Sequence, residues 1–253
     1  MAKLPVALAL YTVRDSMEAD YLGTLRKVAD MGYNAVELEN PTHMSAAELK
    51  ALLADLGLRA VASHIGFDEL ESDPSGVLAT AKELGCDYAV CPAIPEERRG
   101  DAAAYRAAAG VLDRAGAAAR EHGLVFAYHN HAYEFERLDG RAIYDILMEA
   151  TSADLVAAEF DVYWARYGGV DPVASIRKLG SRCRLIHMKD MADDTDRSFA
   201  EVGEGILDME AIVAVGREVG ARWYIVEQDE STKRPSLEAA ALSLNNMRSH
   251  GWA

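Results

Sequence analysis

Carboxylates and imidazoles in this sequence are gathered at the ends of short apolar runs. Read along the chain, those ends carry Tyr11 and Arg14; Glu37, Glu39 and Asn40; His64; Cys91 and Pro92; His129, Asn130, His131 and Glu134; Asp161, Tyr163 and Trp164; His187, Lys189 and Asp190; and Glu227, Gln228 and Asp229. Four of the seven histidines belong to this set. Carboxylate oxygens beside one or two imidazole nitrogens suit Mn, Mg, Co or Zn, and an ion with open positions can act on a bound substrate. Asp161, His187 and Glu227 follow three consecutive runs, so a fold that aligns the run ends brings them together. Each also has a plainer reading. Asp161 is placed to cap the segment after it, His187 to be a hydrogen-bonded core histidine, and Glu227 to belong to a solvated acidic run with Asp229 and Glu230.

The elements that must position these residues repeat along the chain. Alanine- and leucine-rich segments at helical spacing stop at a glycine, and a short β-branched run follows. Gly32 precedes AVELEN, Gly57 LRAVASHIGF, Gly85 CDYAVCP, Gly123 LVFAYHNH, Gly180 RLIHMKD and Gly220 ARWYIVEQDE. A glycine there can adopt the left-handed conformation that closes a helix. With VALALYTVRD at the start and LVAAEFDVYWA after Ser152, eight strands recur about every 30 residues, the length of a βα unit. The runs are almost continuously apolar, as parallel strands covered by helices must be. Ser45 with Glu48 reads as a capping box, and Pro172 and Pro235 stand where a first helical turn accepts proline. These features predict an α/β fold, a (β/α)8 barrel formed as one domain over residues 1–253, close to the roughly 250 residues such barrels use. The alternative, an open doubly wound sheet, would want a G-x-G-x-x-G turn after an early strand; TVRDSMEADY stands there instead.

A formal net charge of −15 repels phosphate backbones and anionic headgroups, which argues against nucleic acid and membranes as partners. A small sugar or cyclitol fits better, and a homo-oligomer is compatible with everything here. Three separated cysteines, Cys86, Cys91 and Cys183, lie in apolar runs and are expected to be buried reduced thiols, which points to the cytoplasm. The opening MAKLPVALALYTVRD reads as a first strand rather than a leader, and no stretch reaches the roughly 20 apolar residues of a membrane span.

The motifs LYTVRD, GYNAVELEN, SHIGF, YHNHAYEFE, DVYWA, HMKD and VEQDE together resemble the xylose isomerase-like barrels, the sugar phosphate isomerase/epimerase family, over nearly the whole chain. The resemblance implies one divalent ion held by Glu, Asp, His and Glu from strands five to eight. Asp161, His187 and Glu227 match the last three positions. At strand five the chain departs: His129, Asn130 and His131 stand where many relatives have glutamate. Glu134 is therefore assigned as ligand, with Glu136 or His129 as fallbacks. The family implies proton removal next to a carbonyl, with His131, Glu134 and Glu227 as the catalytic candidates. His64, His129 and Lys189 are assigned to substrate, and Trp164 to stacking on the apolar face of a sugar. Return of the proton gives an isomerase or epimerase, whereas expulsion of a β-leaving group gives a dehydratase or lyase. YHNH and DVYW resemble the branch acting on keto-inositols or 3-keto-glycosides. Gly203 and Gly205 form the one glycine pair resembling an anion cradle, so an uncharged substrate is favoured. A metal-dependent DNA-repair endonuclease would want more histidines and a basic surface. A sugar-binding barrel without chemistry would lack a metal ligand.

Overall fold

In the computed structural model, which describes residues 3–39 and 44–253, eight parallel strands close into a barrel. They are β1 (Val6–Ala9), β2 (Ala35–Leu38), β3 (Arg59–His64), β4 (Tyr88–Cys91), β5 (Val125–His129), β6 (Val156–Asp161), β7 (Cys183–Met188) and β8 (Trp223–Val226). β1 pairs in parallel with β8 through Val6↔Tyr224 and Leu8↔Val226, which seals the cylinder. The (β/α)8 expectation holds, and Asn40 lies outside the described residues.

A principal helix returns the chain after each strand: α1 (Tyr21–Asp30), α2 (Ala46–Asp55), α3 (Pro74–Leu84), α4 (Ala102–Glu121), α5 (Ile143–Ala150), α6 (Pro172–Leu179), α7 (Met209–Val219) and α8 (Ser236–Ser249). The glycine punctuation works as read. Gly85 and Gly220 close α3 and α7 at φ 92° and 79°, a conformation a side chain would resist. The Ser45–Glu48 capping box forms, and Pro172 opens α6, while Pro235 sits one residue ahead of α8 at its cap.

Strand residues alternate between two cores. Leu8, Val36, Phe126, Tyr128, Phe160, Ile186, Met188, Tyr224 and Val226 face outward and pack under the helices. Ala7, Ala9, Ala35, Ala62, Ala127, Ala157, Leu185 and Ile225 pack together in a second cluster within the narrow cylinder, where small side chains fit. Continuing this inward phase by two residues toward the C-terminal ends gives Glu37, His64, His129, Glu159, His187 and Glu227, all buried. The barrel therefore carries its polar residues as the uppermost layers of its own filling. Cys86, Cys91 and Cys183 are free and buried, and no helix of the described residues is long and apolar enough to cross a membrane.

Candidate active site

The site has two storeys, joined by His129 and His187. In the lower one, Glu159 Oε1 lies 2.9 Å from His64 Nε2, 3.2 Å from His129 Nδ1 and 3.1 Å from His187 Nε2. Glu37 Oε1 lies 2.8 Å from the same His187 nitrogen and 3.3 Å from His64 Nε2. Two carboxylates this deep cannot both ionise cheaply. Burial and then the neighbouring Glu159 push the Glu37 carboxyl up to about 8, so it keeps its proton near neutrality. For Glu159 burial is outweighed by His187 and His64, and it stays ionised.

The outward nitrogens of the same imidazoles face the upper storey. His187 Nδ1 is 2.8 Å from Glu227 Oε2, and His129 Nε2 is 3.9 Å from Asp161 Oδ2. His129, Asp161, His187 and Glu227 each offer a ligand atom within 4.8 Å of the others, and all are buried. Asp161 does cap the turn after β6, accepting from Trp164 N through Oδ1, and this leaves Oδ2 turned inward toward His129 and the Lys189 ammonium. The cap and the ligand position are thus two atoms of one carboxylate. Asn130 fixes its backbone by donating to Asp161 O and accepting from Asp161 N. Two buried imidazoles and two buried carboxylates converging on one point fit a divalent ion of the Mn or Zn kind. A second overlapping quartet, His64, His129, Glu159 and His187, uses the lower storey.

Lys189 crowns the arrangement. Although 1% exposed, its Nζ is 3.0 Å from Asp161 Oδ2, 2.6 Å from Glu227 Oε2 and 2.7 Å from Asp229 Oδ1. Burial alone would drive the proton off, but these three carboxylates hold the ammonium charged. Asp229 is pushed up to about 6 by burial, only partly offset by Lys189. Above lies a cavity of about 220 Å³ lined by Tyr11, Glu39, His64, Pro92, His129, His131, Lys189, Glu227 and Asp229. Arg14 shapes its edge by donating to Asp229 O and stacking on the Tyr11 ring.

Glu134 stands apart from this group. It rides a single helical turn after β5, where its Oε1 accepts from Tyr128 Oη at 2.6 Å and its Oε2 from His131 N at 2.9 Å. It belongs to neither quartet, whereas His129, the fallback, belongs to both. Glu136 sits on an exposed bend after the same turn. His131 lines the cavity, but burial, His129 and Lys189 press its protonation down to about 2, so it is a neutral imidazole and a poor proton acceptor. Trp164 lies one step outward, packed on His131, Tyr163 and Phe199, and does not line the cavity. None of the family motifs contains Glu159, and Asp229, though inside VEQDE, carries no assigned role in the sequence. Glu159 was legible as the carboxylate two residues before Asp161, hence on its face of the strand.

The Gly203–Gly205 loop does cradle an anion, but one of the chain's own. Asp190 accepts from the backbone of Met191, Gly203, Gly205 and Leu207 at 2.8–3.1 Å. Those N–H groups are spent on an internal carboxylate, and no phosphate can use them.

A family model described as xylose isomerase-like TIM barrel matches residues 25–250. The chain belongs to that family. It is 26% identical over 252 residues to the inosose dehydratase of Geobacillus kaustophilus (strain HTA426), covering 83% of this chain and 81% of that protein. A sugar phosphate isomerase/epimerase from Parabacteroides distasonis ATCC 8503 superposes with a TM-score of 0.89 at 23% identity, covering 100% of this chain and 96% of that one. The IolI protein, solved with a zinc atom, superposes at 0.78 with 16% identity over 97% of both chains. These two structural likenesses speak to the fold.

Proposed function

We propose that this protein is a cytoplasmic, divalent-metal-dependent dehydratase that removes the proton next to the carbonyl of an uncharged keto-cyclitol or keto-sugar and expels the hydroxyl β to it. The observation that carries the reading is the Lys189–Asp229 pair, set beside the quartet of His129, Asp161, His187 and Glu227 at the floor of the cavity. When bound by that quartet, a divalent ion would polarise substrate oxygen and acidify the adjacent C–H. The chain's own groups do the proton work. Asp229, poised near 6, is matched to accepting a carbon-bound proton near neutrality. Lys189 is the matching acid: as the C–O bond breaks, it gives a proton to the departing hydroxyl, which leaves as water. Asp229 then returns the abstracted proton to Lys189 across their 2.7 Å hydrogen bond, and both groups end as they began. His64 and Tyr11 line the cavity where substrate hydroxyls would lie.

Elimination is favoured over epimerisation because the hydrogen-bonded acid–base pair at the mouth, Lys189 and Asp229, stands on one side of it, just after β7 and β8. Inversion needs a base on each face. Opposite them, strand five offers a neutral His131 and a Glu134 turned back onto Tyr128. The similarity to an inosose dehydratase supports the same choice, and the occupied Gly203–Gly205 cradle supports an uncharged substrate. Incubation of Mn-loaded protein with a 2-keto-inositol in deuterated water should release water, with a diketone product seen by NMR. Asp229→Asn and Lys189→Met should each lower kcat at least 100-fold with the metal retained. Solvent deuterium entering without loss of water, together with inversion at that carbon, would replace the dehydratase by an epimerase.

A further inference from the structure

The opposite mouth of the barrel holds the larger cavity, about 600 Å³, within the range of small-molecule sites. Arg184 at the start of β7, Arg222 just before β8 and Arg120 in the last turn of α4 all line it, and Asp154 is the one carboxylate among its lining residues. Among the described residues the side chains of these three arginines make no hydrogen bond or ion pair, in a chain with 41 acidic residues to choose from. Arg182, by contrast, is fully engaged with the carbonyls of Met148, Thr151 and Val156 and forms fixed wall.

Two of the unpaired arginines are also placed against their own repulsion. Arg222 N donates to Arg184 O at 2.7 Å, and the next residues, Trp223 and Leu185, are register partners, so the two arginines are backbone neighbours across adjoining strands at the same mouth. Like charges in that relation destabilise a sheet unless something of opposite sign lies between them. Both also act electrostatically on the Tyr88 hydroxyl, a hydrogen-bonding group on the same wall. Guanidinium forks match phosphate oxygens, and Val125 with Leu155 gives the cavity an apolar side.

We infer that this cavity is a second ligand site, which takes a small phosphate-bearing metabolite between Arg184, Arg222 and Arg120 at the N-terminal face of the barrel. It is separate from the chemistry: three residue steps of β7, about 10 Å of strand, divide Arg184 from His187. The phosphate excluded from the Gly203–Gly205 loop thus has a place at the other end of the molecule.

The test uses inorganic phosphate on the whole, metal-loaded protein, read by thermal shift and calorimetry at constant ionic strength, with malonate and chloride as comparison anions. Phosphate should stabilise saturably, and more tightly than malonate. Arg184→Gln/Arg222→Gln should weaken phosphate binding at least tenfold, and Arg120→Gln should weaken it less. Without phosphate the double variant should melt no lower than the parent, since the substitutions remove only unpaired charges. Equal responses to phosphate and chloride, tighter binding of malonate, or undiminished phosphate binding in the double variant would each overturn the site.

Discussion

Glu159→Gln tests the two-storey reading most directly. If an ion is held by the outward nitrogens of His129 and His187, then His129 Nδ1 and His187 Nε2 must carry the protons, and both lie against the charged Glu159 Oε1, at 3.2 and 3.1 Å. A carboxylate in that position orients the rings and makes them better donors to a metal. The amide keeps an oxygen of the same size but loses the charge. Hydrogen bonds to charged groups contribute about 1.5–3 kcal/mol, against about 0.5–1.5 for neutral ones, so each histidine loses on the order of 1 kcal/mol. Two histidines give about 2 kcal/mol, or roughly a 30-fold rise in the metal dissociation constant, within the 10–100-fold span typical of such supporting partners. Glu37→Gln should cost far less, because that carboxyl already holds its proton. Competition with a chelating dye for Mn and Zn, on variants shown to be folded by their melting curves, measures both. A dissociation constant within threefold of the parent for Glu159→Gln would mean that no ion rests on these imidazoles.

Three further outcomes are expected. His129→Ala and Asp161→Asn should lose bound metal on dialysis, while Glu134→Gln should retain it; elemental analysis of the three decides the strand-five corner. Burial holds the Glu134 proton up to about 7, against 4.5 for the free group, so folded protein keeps a proton that unfolded chain has released between those values. Stability from this group is therefore greatest below pH 4.5 and is lost as pH rises toward 7, a change of roughly 3 kcal/mol that Glu134→Gln lacks. Urea titrations from pH 5 to 8 should show the variant gaining on the parent as pH rises; parallel profiles would refute it. Gly205→Ala would put a methyl group 2.3 Å from Asp190 Oδ1 and from Met191 O. Losing even one charge-assisted bond to Asp190 costs about 1.5–3 kcal/mol, a fall in Tm of roughly 4–10 °C by calorimetry.

What could be read from the chain and what could not divides along a physical line. The closed barrel was legible because six of the eight strands follow a glycine and all are filled with apolar residues, signals that are local and repeated. Asp161, His187 and Glu227 were legible because each continues the inward phase of its own strand, so their convergence follows from barrel closure alone. Strand five obeys the same rule: Ala127 faces in, and two residues later so does His129. Glu134 fits the family pattern by residue type but not by phase. A residue five positions beyond His129, on a separate helical turn, has no reason to share its direction, and Tyr128, which faces outward, captures it. The same phase would have exposed Glu159.

Protonation is the part no local pattern carries. Glu37 and Glu159 are both glutamates inside apolar strands, yet one keeps its proton and the other does not, because His64, His129 and His187 arrive from three other strands and crowd Glu159. Lys189 and Asp229 are similar. Nothing in HMKD or VEQDE says that the ammonium will be buried among three carboxylates, or that the third will be held near 6 beside it. The barrel's contribution to chemistry is therefore more than bringing ligands to one point. By drawing unlike charges from separate strands into a largely buried space, it sets which acids are charged, and so which groups are poised to take up a proton or to give one.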